Sequence, residues 1–573
     1  MKTIRIATCQ LNFCVGDISG NKKKIINFIK KARANRADIV CFPELSITGY
    51  PPEDLLLNGS FIEQNIKALD EITKHTKSII VIVGFADRRN GLLNAAAIMS
   101  NGKLLDIYHK RHLPNYGVFD EKRYFKKASR TPVYELDKIR FGVNICEDIW
   151  VKGDPTRSQS LAGGADIVIN ISSSPYYASK VQSREQMLQE RARDYGCYVV
   201  FCNLIGGQDE LVFDGHSCVI DNGGNIISRG KGFKEQLLFT DIDDKQIAGL
   251  RENKVKLKDK SRVSQVDIVK LAGKLKKKTQ NNINNKVSVF YSQYEEVFKA
   301  LVLGTKDYIN KNGFKKVVIG LSGGIDSSLV CVIAKEALGA KNVTGVLMPS
   351  QYSSAGSITD SEKLSHNLGI ETLTVPIKKL FDQYNKSLSE IFIGTTEGIT
   401  EENLQPRIRG NILMALSNKF GWLVLTTANK SETSVGYSTL YGDMAGGFAV
   451  IKDVPKTLVY KLCEYYNESK KSRIIPQSVL EKPPSAELRP DQKDTDSLPE
   501  YDILDPILKL YIEDDLGIDQ IAELGYNKKL VHRVIKLVDI NEYKRRQAAP
   551  GVKITPRAFG KDRRFPITNR FHN

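Results

Sequence analysis

Three residues of this chain follow apolar runs and carry the groups a thiol hydrolase needs. Cys146 ends the run in RFGVNICEDIW, Glu44 follows the one in DIVCFPELSITGY, and Lys110 follows the one in KLLDIYHKRHLPNYG. A thiol attacks only as thiolate, so it needs a base and a cation beside it. Glu44 can take the proton. Lys110 can stabilise the thiolate and the oxyanion formed when Cys146 adds to an amide carbonyl. Taken singly, a cysteine at a strand end is more often a small core residue, and a lone Glu or Lys there is usually solvated. The set of three, each placed where strand ends converge, points to amide cleavage.

A second cluster is contiguous. The strand-like run Val317–Leu321 enters Ser322-Gly323-Gly324-Ile325-Asp326-Ser327-Ser328, and an amphipathic helix follows over Ser327–Leu338. Two glycines let backbone N–H groups close around a small anion, the serines add hydroxyls, and the helix N-terminus adds its positive end. This is a phosphate cradle but not a Walker A loop, since GxxxxGK[ST] is absent. A carboxylate among phosphate donors makes electrostatic sense when it holds a divalent cation, so Asp326 is a candidate Mg²⁺ ligand.

The elements that must position these residues can be read from periodicity. Short apolar runs at Thr3–Cys9, Asp38–Phe42, Ile79–Val83, Arg140–Ile145, Ala165–Ile171 and Cys197–Leu204 predict strands, with helices at 20–34 and 182–195. A fresh α/β pattern begins after residue 290, with strands at Val317–Leu321, Val343–Met348 and Trp422–Thr427. Strand–helix alternation there predicts a parallel, doubly wound sheet with its ligand at the strand carboxyl ends. A chain of 573 residues exceeds one ordinary core. The expected domains are 1–245, a basic linker at 246–290, and 291–573.

Net charge is +18, yet residues 251–290 hold 12 Lys/Arg against 3 Asp/Glu, so +9 of it sits in one polar stretch. Such a run is usually a solvated linker. No RRM, KH, helix-turn-helix or zinc-finger pattern occurs, so no nucleic acid is expected as partner. A protein binding nucleic acid through 251–290 is the reading from another class, and it leaves both clusters unexplained. The apolar runs are too short for a membrane span, and Arg5 interrupts what would be a signal core. Nine cysteines without CxxC pairs suit a reducing cytoplasm.

The Glu44, Lys110 and Cys146 segments resemble the nitrilase superfamily over roughly 1–245. The resemblance implies an α-β-β-α sandwich, a glutaminase activity, a second glutamate at Glu121, and glutamine held by Tyr116, Glu147, Ser174 and Lys180. SGGIDSS resembles the pyrophosphate loop of ATP-pyrophosphatases, with the adenine nucleotide alpha hydrolase-like fold. That implies ATP contacts from Gly320, Leu321, Ser322, Gly323, Gly324, Ile325, Asp326, Ser327 and Ser328. Further segments resemble NAD synthetases: Glu402–Gln405 with Arg407–Asn411, Thr427–Glu432, Val435–Thr439, Tyr441–Asp443, Lys482–Leu488, and the basic tail from Lys544. By that resemblance Thr427 contacts ATP and Glu432 meets Mg²⁺ and the dinucleotide. Asn403, Tyr437, Ser438, Thr439, Leu440 and Lys544 would line a deamido-NAD site. Pro406 stands where those enzymes usually have alanine; it removes one backbone donor and stiffens the segment.

Together these imply a carbon–nitrogen ligase of the glutamine-dependent NAD synthetase family, handing ammonia across internally and pairing as a homo-oligomer. Another glutamine-dependent ATP-pyrophosphatase, such as a GMP synthetase-like enzyme, is the nearest alternative. An asparagine-synthetase type would need Cys at position 2, which is Lys2, and a class I glutaminase would need a GxCxG elbow.

Overall fold

The computed structural model describes residues 3–89, 91–243, 247, 265–271 and 285–571. The chain forms two compact units, Met1–Gln208 with Val212–Phe290, and Asp209–Leu211 with Tyr291–Asn573. Among the described residues no helix is long and apolar enough to cross a membrane.

In chain order the first strands are β1 (Thr3–Gln10), β2 (Ile39–Cys41), β3 (Ile80–Asp87), β4 (Leu93–Ser100), β5 (Lys103–His109), β6 (Pro132–Leu136), β7 (Ile139–Ile145) and β8 (Ile167–Ser172). There follow β9 (Tyr198–Asn203), β10 (Ile205–Gln208), β11 (Leu211–Asp214), β12 (Cys218–Ile220), β13 (Ile226–Arg229), β14 (Gln236–Asp243) and β15 (Asp267–Leu271). One sheet runs β14-β1-β2-β3-β4-β5 and the other β13-β12-β9-β8-β7-β6-β15. Alternation along each strand explains how they stack. Ile4, Ile6, Ile39 and Ile82 of one sheet join Phe141, Val143, Ile169 and Val200 of the other in one core. The intervening residues Val168, Val199 and Phe201 face the other way, onto Leu188 and Ala192 of helix Lys180–Tyr195. The helix over Ile18–Ala34 starts where Asp17 caps it, its carboxylate accepting from the Gly20 N–H.

The strand at Asp267–Leu271 corrects the reading of 246–290 as a plain linker. It pairs in parallel with β6 and extends the sheet, while Lys286 and Ser288 exchange backbone hydrogen bonds with Arg229 at 2.9 and 3.1 Å. The edge of β6 offers unpaired N–H and C=O groups, and DIVKL alternates well enough to take them. The lysine clusters of the stretch, Lys254–Lys260 and Lys274–Lys278, lie outside the described residues.

In the second unit β16 (Val317–Leu321), β17 (Val343–Leu347), β18 (Glu371–Thr374), β19 (Leu423–Thr426) and β20 (Phe448–Ala449) form one sheet in the order β18-β17-β16-β19-β20. Every pairing is parallel. The strand order reverses at β16, so its carboxyl end opens into the crevice where doubly wound sheets bind ligands. Helix Ile399–Phe420 continues past Pro406, which is buried.

Two candidate active sites

In the first unit the catalytic candidates follow strands as predicted. Glu44 lies past β2, Lys110 past β5 and Cys146 past β7, and all three are buried. Gly84 of β3 makes room for the first of them. A side chain there would sit 2.4 Å from the Leu45 nitrogen and 2.8 Å from the Glu44 carbonyl carbon. Lys110 Nζ donates to Glu44 Oε1 at 2.6 Å and to Glu121 Oε1 at 2.7 Å, so one ammonium joins two carboxylates. Asn94 Nδ2 donates to Glu44 Oε1 at 2.8 Å, and the Ser173 N–H to Oε2 at 3.1 Å. Tyr50 donates its hydroxyl proton to Glu121 Oε1 at 3.2 Å.

Cys146 takes φ +44°, outside the range most side chains prefer. Its N–H donates to the Ile171 carbonyl at 2.9 Å, and its carbonyl accepts from Asn170 Nδ2 at 3.3 Å. Burial pushes its thiol well above the ordinary value; Glu44 adds to this and Lys110 opposes it. Burial works against the Lys110 ammonium, but Glu121 and Glu44 outweigh it and hold its pKa up. Burial also pushes Glu121 up to about 7, with Lys110 opposing.

The residues expected to hold an amide substrate divide. Tyr116 donates its hydroxyl to both oxygens of Glu147 at 3.0 Å each, and both side chains feel the Lys110 charge. Ser174 is buried, its N–H bonded to Asn203 Oδ1 at 2.9 Å, next to the Ser173 that anchors Glu44. Lys180 is bonded to the Pro175 carbonyl at 2.6 Å and lies over the rings of Trp150 and Tyr177.

In the second unit a cavity of about 280 Å³ opens at the carboxyl end of β16. Gly320, Leu321, Ser322, Gly324, Ile325, Asp326, Ser327 and Thr427 line it; Ser328 turns inward, its Oγ on the Gly324 carbonyl at 2.9 Å. Gly323 has φ +72°, and a Cβ there would stand 2.3 Å from the Ser357 carbonyl oxygen, so only glycine fits. Ser327 Oγ donates to the Gly324 carbonyl at 3.0 Å and lies 3.1 Å from Ser322 Oγ, which closes the turn.

Asp326 sits at the mouth of that turn. Lys456 Nζ donates to its Oδ2 at 2.5 Å and to Glu432 Oε1 at 3.1 Å, and Asn429 Nδ2 donates to its Oδ1 at 2.9 Å. Burial raises Glu432 to about 8, with Lys456 opposing and Asp326 and Asp494 adding. Asp326 and Glu432 thus share one ammonium, with Asp494 near enough to be felt by all three. That surplus of buried negative charge suits a divalent cation held by Asp326 and Glu432, with phosphate oxygens supplying the remaining ligands. Among the described residues no group of three or more His, Cys, Asp or Glu forms a ready-made metal cage.

Of the residues expected at a dinucleotide, Glu432, Tyr437 and Thr439 line the cavity. The others brace it from behind. Thr439 Oγ1 donates to Asn403 Oδ1 at 2.7 Å, and Arg407 Nε to the Leu440 carbonyl at 3.2 Å. Lys544 Nζ donates to the carbonyls of Gly436 and Ser438 at 2.7 and 2.9 Å and so pins the loop 436–440. Gly442 approaches Pro406 so closely that a Cβ would lie 2.9 Å from the proline Cβ.

Sequence reasoning did not single out Asn94, Tyr50, Ser173, Lys456, Asn429 or Arg409. Arg409 lines the cavity, donates to the Met348 carbonyl at 3.2 Å, and is lowered by burial to about 10. Asn429 and Arg409 fall within the segments Thr427–Glu432 and Arg407–Asn411 that the resemblance covers, whereas Lys456 carries no local signal.

The chain matches two family models, NAD synthase over residues 297–548 and carbon-nitrogen hydrolase over 5–252. It is 50% identical to a glutamine-dependent NAD(+) synthetase of Thermotoga maritima, covering 100% of this chain and 99% of that relative. The Aquifex aeolicus protein of the same name is 46% identical over 99% of this chain and 100% of its own length. Among solved structures, that of the Acinetobacter baumannii glutamine-dependent NAD+ synthetase in complex with adenosine diphosphate is 40% identical. It covers 100% of both chains with a TM-score of 0.75.

Proposed function

From the premise that the chain belongs to the glutamine-dependent NAD(+) synthetase family, we propose how its two sites divide one reaction. The first unit hydrolyses glutamine. The second uses ATP to activate the ring carboxylate of deamido-NAD and amidates it with the released ammonia. The observation that carries this division is the presence, in one chain, of a buried Cys146–Glu44–Lys110 cluster and a separate glycine turn ending on Asp326.

At the first site Glu44 takes the thiol proton as Cys146 Sγ bonds to the amide carbon, and the Lys110 ammonium faces the oxyanion. Collapse breaks the C–N bond; the proton returns from Glu44 to the leaving nitrogen, which departs as ammonia. Water then adds to the thioester with Glu44 again as base, freeing glutamate and the thiol. Tyr116, Glu147, Ser174 and Lys180 are assigned to holding glutamine.

At the second site the carboxylate oxygen of deamido-NAD attacks the α-phosphorus of ATP and pyrophosphate leaves. Ammonia then displaces AMP and loses a proton. The N–H groups of Ser322–Ser328 and the hydroxyls of Ser322 and Ser327 hold the pyrophosphate, Thr427 contacts ATP, and Lys456 neutralises phosphate charge. Mg²⁺ on Asp326 and Glu432 would supply electrostatic relief of the phosphate charge. Tyr437 and Thr439 face the dinucleotide, with Asn403, Ser438, Leu440 and Lys544 shaping that wall.

We assign the glutaminase to 1–245, with the strand at Asp267–Leu271 completing its sheet, and the synthetase to 291–573. The reactants are small molecules, and neither site calls for nucleic acid. Nine cysteines outside any disulfide and an ATP-consuming reaction suit the cytoplasm. A second copy of the chain would cover Leu380, Tyr384, Ile391 and Ile393, apolar side chains exposed within one short stretch.

The acceptor is tested by giving the purified protein ATP, Mg²⁺ and one acid at a time. Pyrophosphate should appear promptly with deamido-NAD only, and adding ammonium or glutamine should turn that release into NAD. Equal or faster release with xanthosine monophosphate would overturn the acceptor and favour a GMP synthetase-like reaction.

A further inference from the structure

Asp148 is fully buried two residues past the nucleophile and takes no part in the reaction as written. Its carboxylate accepts four hydrogen bonds. Oδ2 accepts from the Tyr108 hydroxyl at 2.7 Å and from the Ile145 N–H at 3.1 Å. Oδ1 accepts from the backbone N–H groups of His112 at 2.8 Å and Arg111 at 3.1 Å. The donors come from two places only. Tyr108, Arg111 and His112 flank Lys110 on both sides, while Ile145 and Asp148 itself flank Cys146. One carboxylate therefore ties the chain around the cation to the chain around the thiol.

We propose that Asp148 is a positioning residue for the glutaminase reaction, fixing the Lys110 ammonium against the strained Cys146 elbow. The need for such a clamp follows from where the two residues sit. Lys110 follows β5 of one sheet and Cys146 follows β7 of the other, so no strand pairing sets their separation. Cys146 also holds φ +44°, a conformation that persists only where neighbours over-determine it. All four bonds to Asp148 are donated to it, which a carboxylate satisfies on both oxygens. An amide satisfies them on one.

Asp148→Asn turns one acceptor into a donor facing either the Tyr108 and Ile145 pair or the Arg111 and His112 pair. Misplacing a reacting group by ~1 Å can lower a rate by about two decades. In the full-length Asp148→Asn protein, kcat for glutamine hydrolysis should fall about 10- to 100-fold, with KM within about threefold of wild type. Iodoacetamide alkylation of Cys146, followed by the mass of its peptide, should slow by about tenfold with its pH dependence moved upward. Ammonium-supported synthesis should stay within about twofold of wild type, reporting an intact second unit.

Tyr108→Phe removes a single bond at nearly constant volume and should lower kcat and the alkylation rate by about three- to tenfold, again at constant KM. It carries the test should Asp148→Asn not fold. Wild-type kcat and alkylation in both variants would overturn the proposal, as would a raised KM at unchanged kcat. The proposal rests on Cys146 as nucleophile, and the two fail differently. Glutamine use surviving Cys146→Ala sinks that reading, whereas glutamine use surviving Asp148→Asn and Tyr108→Phe sinks only the clamp.

Discussion

Lys456 Nζ lies 2.5 Å from Asp326 Oδ2 in a pocket where both side chains are largely shielded from water. The ammonium stands where the charge of a divalent cation is wanted. Removing one partner of a buried pair costs about 3–5 kcal/mol, because the other is left uncompensated. Lys456→Met should therefore destabilise the second unit by about that much. Mg²⁺ alone, without nucleotide, should raise its melting temperature more than that of wild type. An equal Mg²⁺ response in the two proteins would separate Lys456 from the cation position.

Asp326→Asn should keep the fold and lose synthesis by at least about 100-fold with either glutamine or ammonium as nitrogen source, because the phosphate grip is shared by both. Glutamine hydrolysis, measured separately as glutamate formation, should persist. Wild-type ammonium-dependent synthesis in this variant would remove Asp326 from the mechanism.

Cys146→Ala should abolish glutamine-supported NAD formation while ammonium-supported formation stays near wild type. Glu44→Ala and Lys110→Ala should match it, and the double variants should be no worse than the singles, since the three residues act as one unit. Lys110→Ala also leaves Glu44 and Glu121 buried together without a counter-charge. It alone of the three should melt markedly earlier.

Glu121 makes the first unit sensitive to pH. Burial raises its carboxyl from 4.5 to about 7, so between those values the folded chain keeps a proton that the unfolded chain has released. Stability from this group is full below pH 4.5 and is lost as pH rises toward 7. Glu121→Gln should abolish that decline in the urea midpoint for loss of glutaminase activity, measured across the same interval. An unchanged slope would show that Glu121 is ionised throughout.

Lys544→Ala removes two hydrogen bonds from the loop 436–440 and should weaken use of deamido-NAD by one to two decades, equivalent to ~1–3 kcal/mol. Glutaminase activity should be spared. An effect on KM for ATP alone, with deamido-NAD use intact, would place the loop at the other substrate.

The parts of both sites that are contiguous, or that end an apolar run, were legible in the sequence. Glu44, Lys110 and Cys146 each follow a strand because an apolar run must be extended to enter the sheet core, and polar chemistry can begin only where it stops. Ser322–Ser328 is legible because strand, glycine turn and helix are consecutive. Lys456 is not, because it reaches Asp326 from a helix 130 residues away, and nothing local distinguishes it from a solvated lysine. Asn94 and Tyr50 were missed for the same reason. Strands β18 and β20 escaped prediction because one is polar at a sheet edge and the other only two residues long. The strand at Asp267–Leu271 was hidden by the lysines around it, whose charge dominates the composition of the stretch.

The cysteines are distributed so that the nucleophile is well protected from damage. Eight of the nine, Cys146 among them, are buried, and Cys14 alone is partly accessible. Peroxides and electrophiles consume thiolate rather than thiol, and burial keeps the Cys146 proton in place. An idle molecule in an oxidising episode should therefore be modified first at Cys14, a position outside both sites. Its capacity to draw nitrogen from glutamine should outlast the first modification of the chain, which would make total thiol content a poor gauge of how much working enzyme a stored sample still holds.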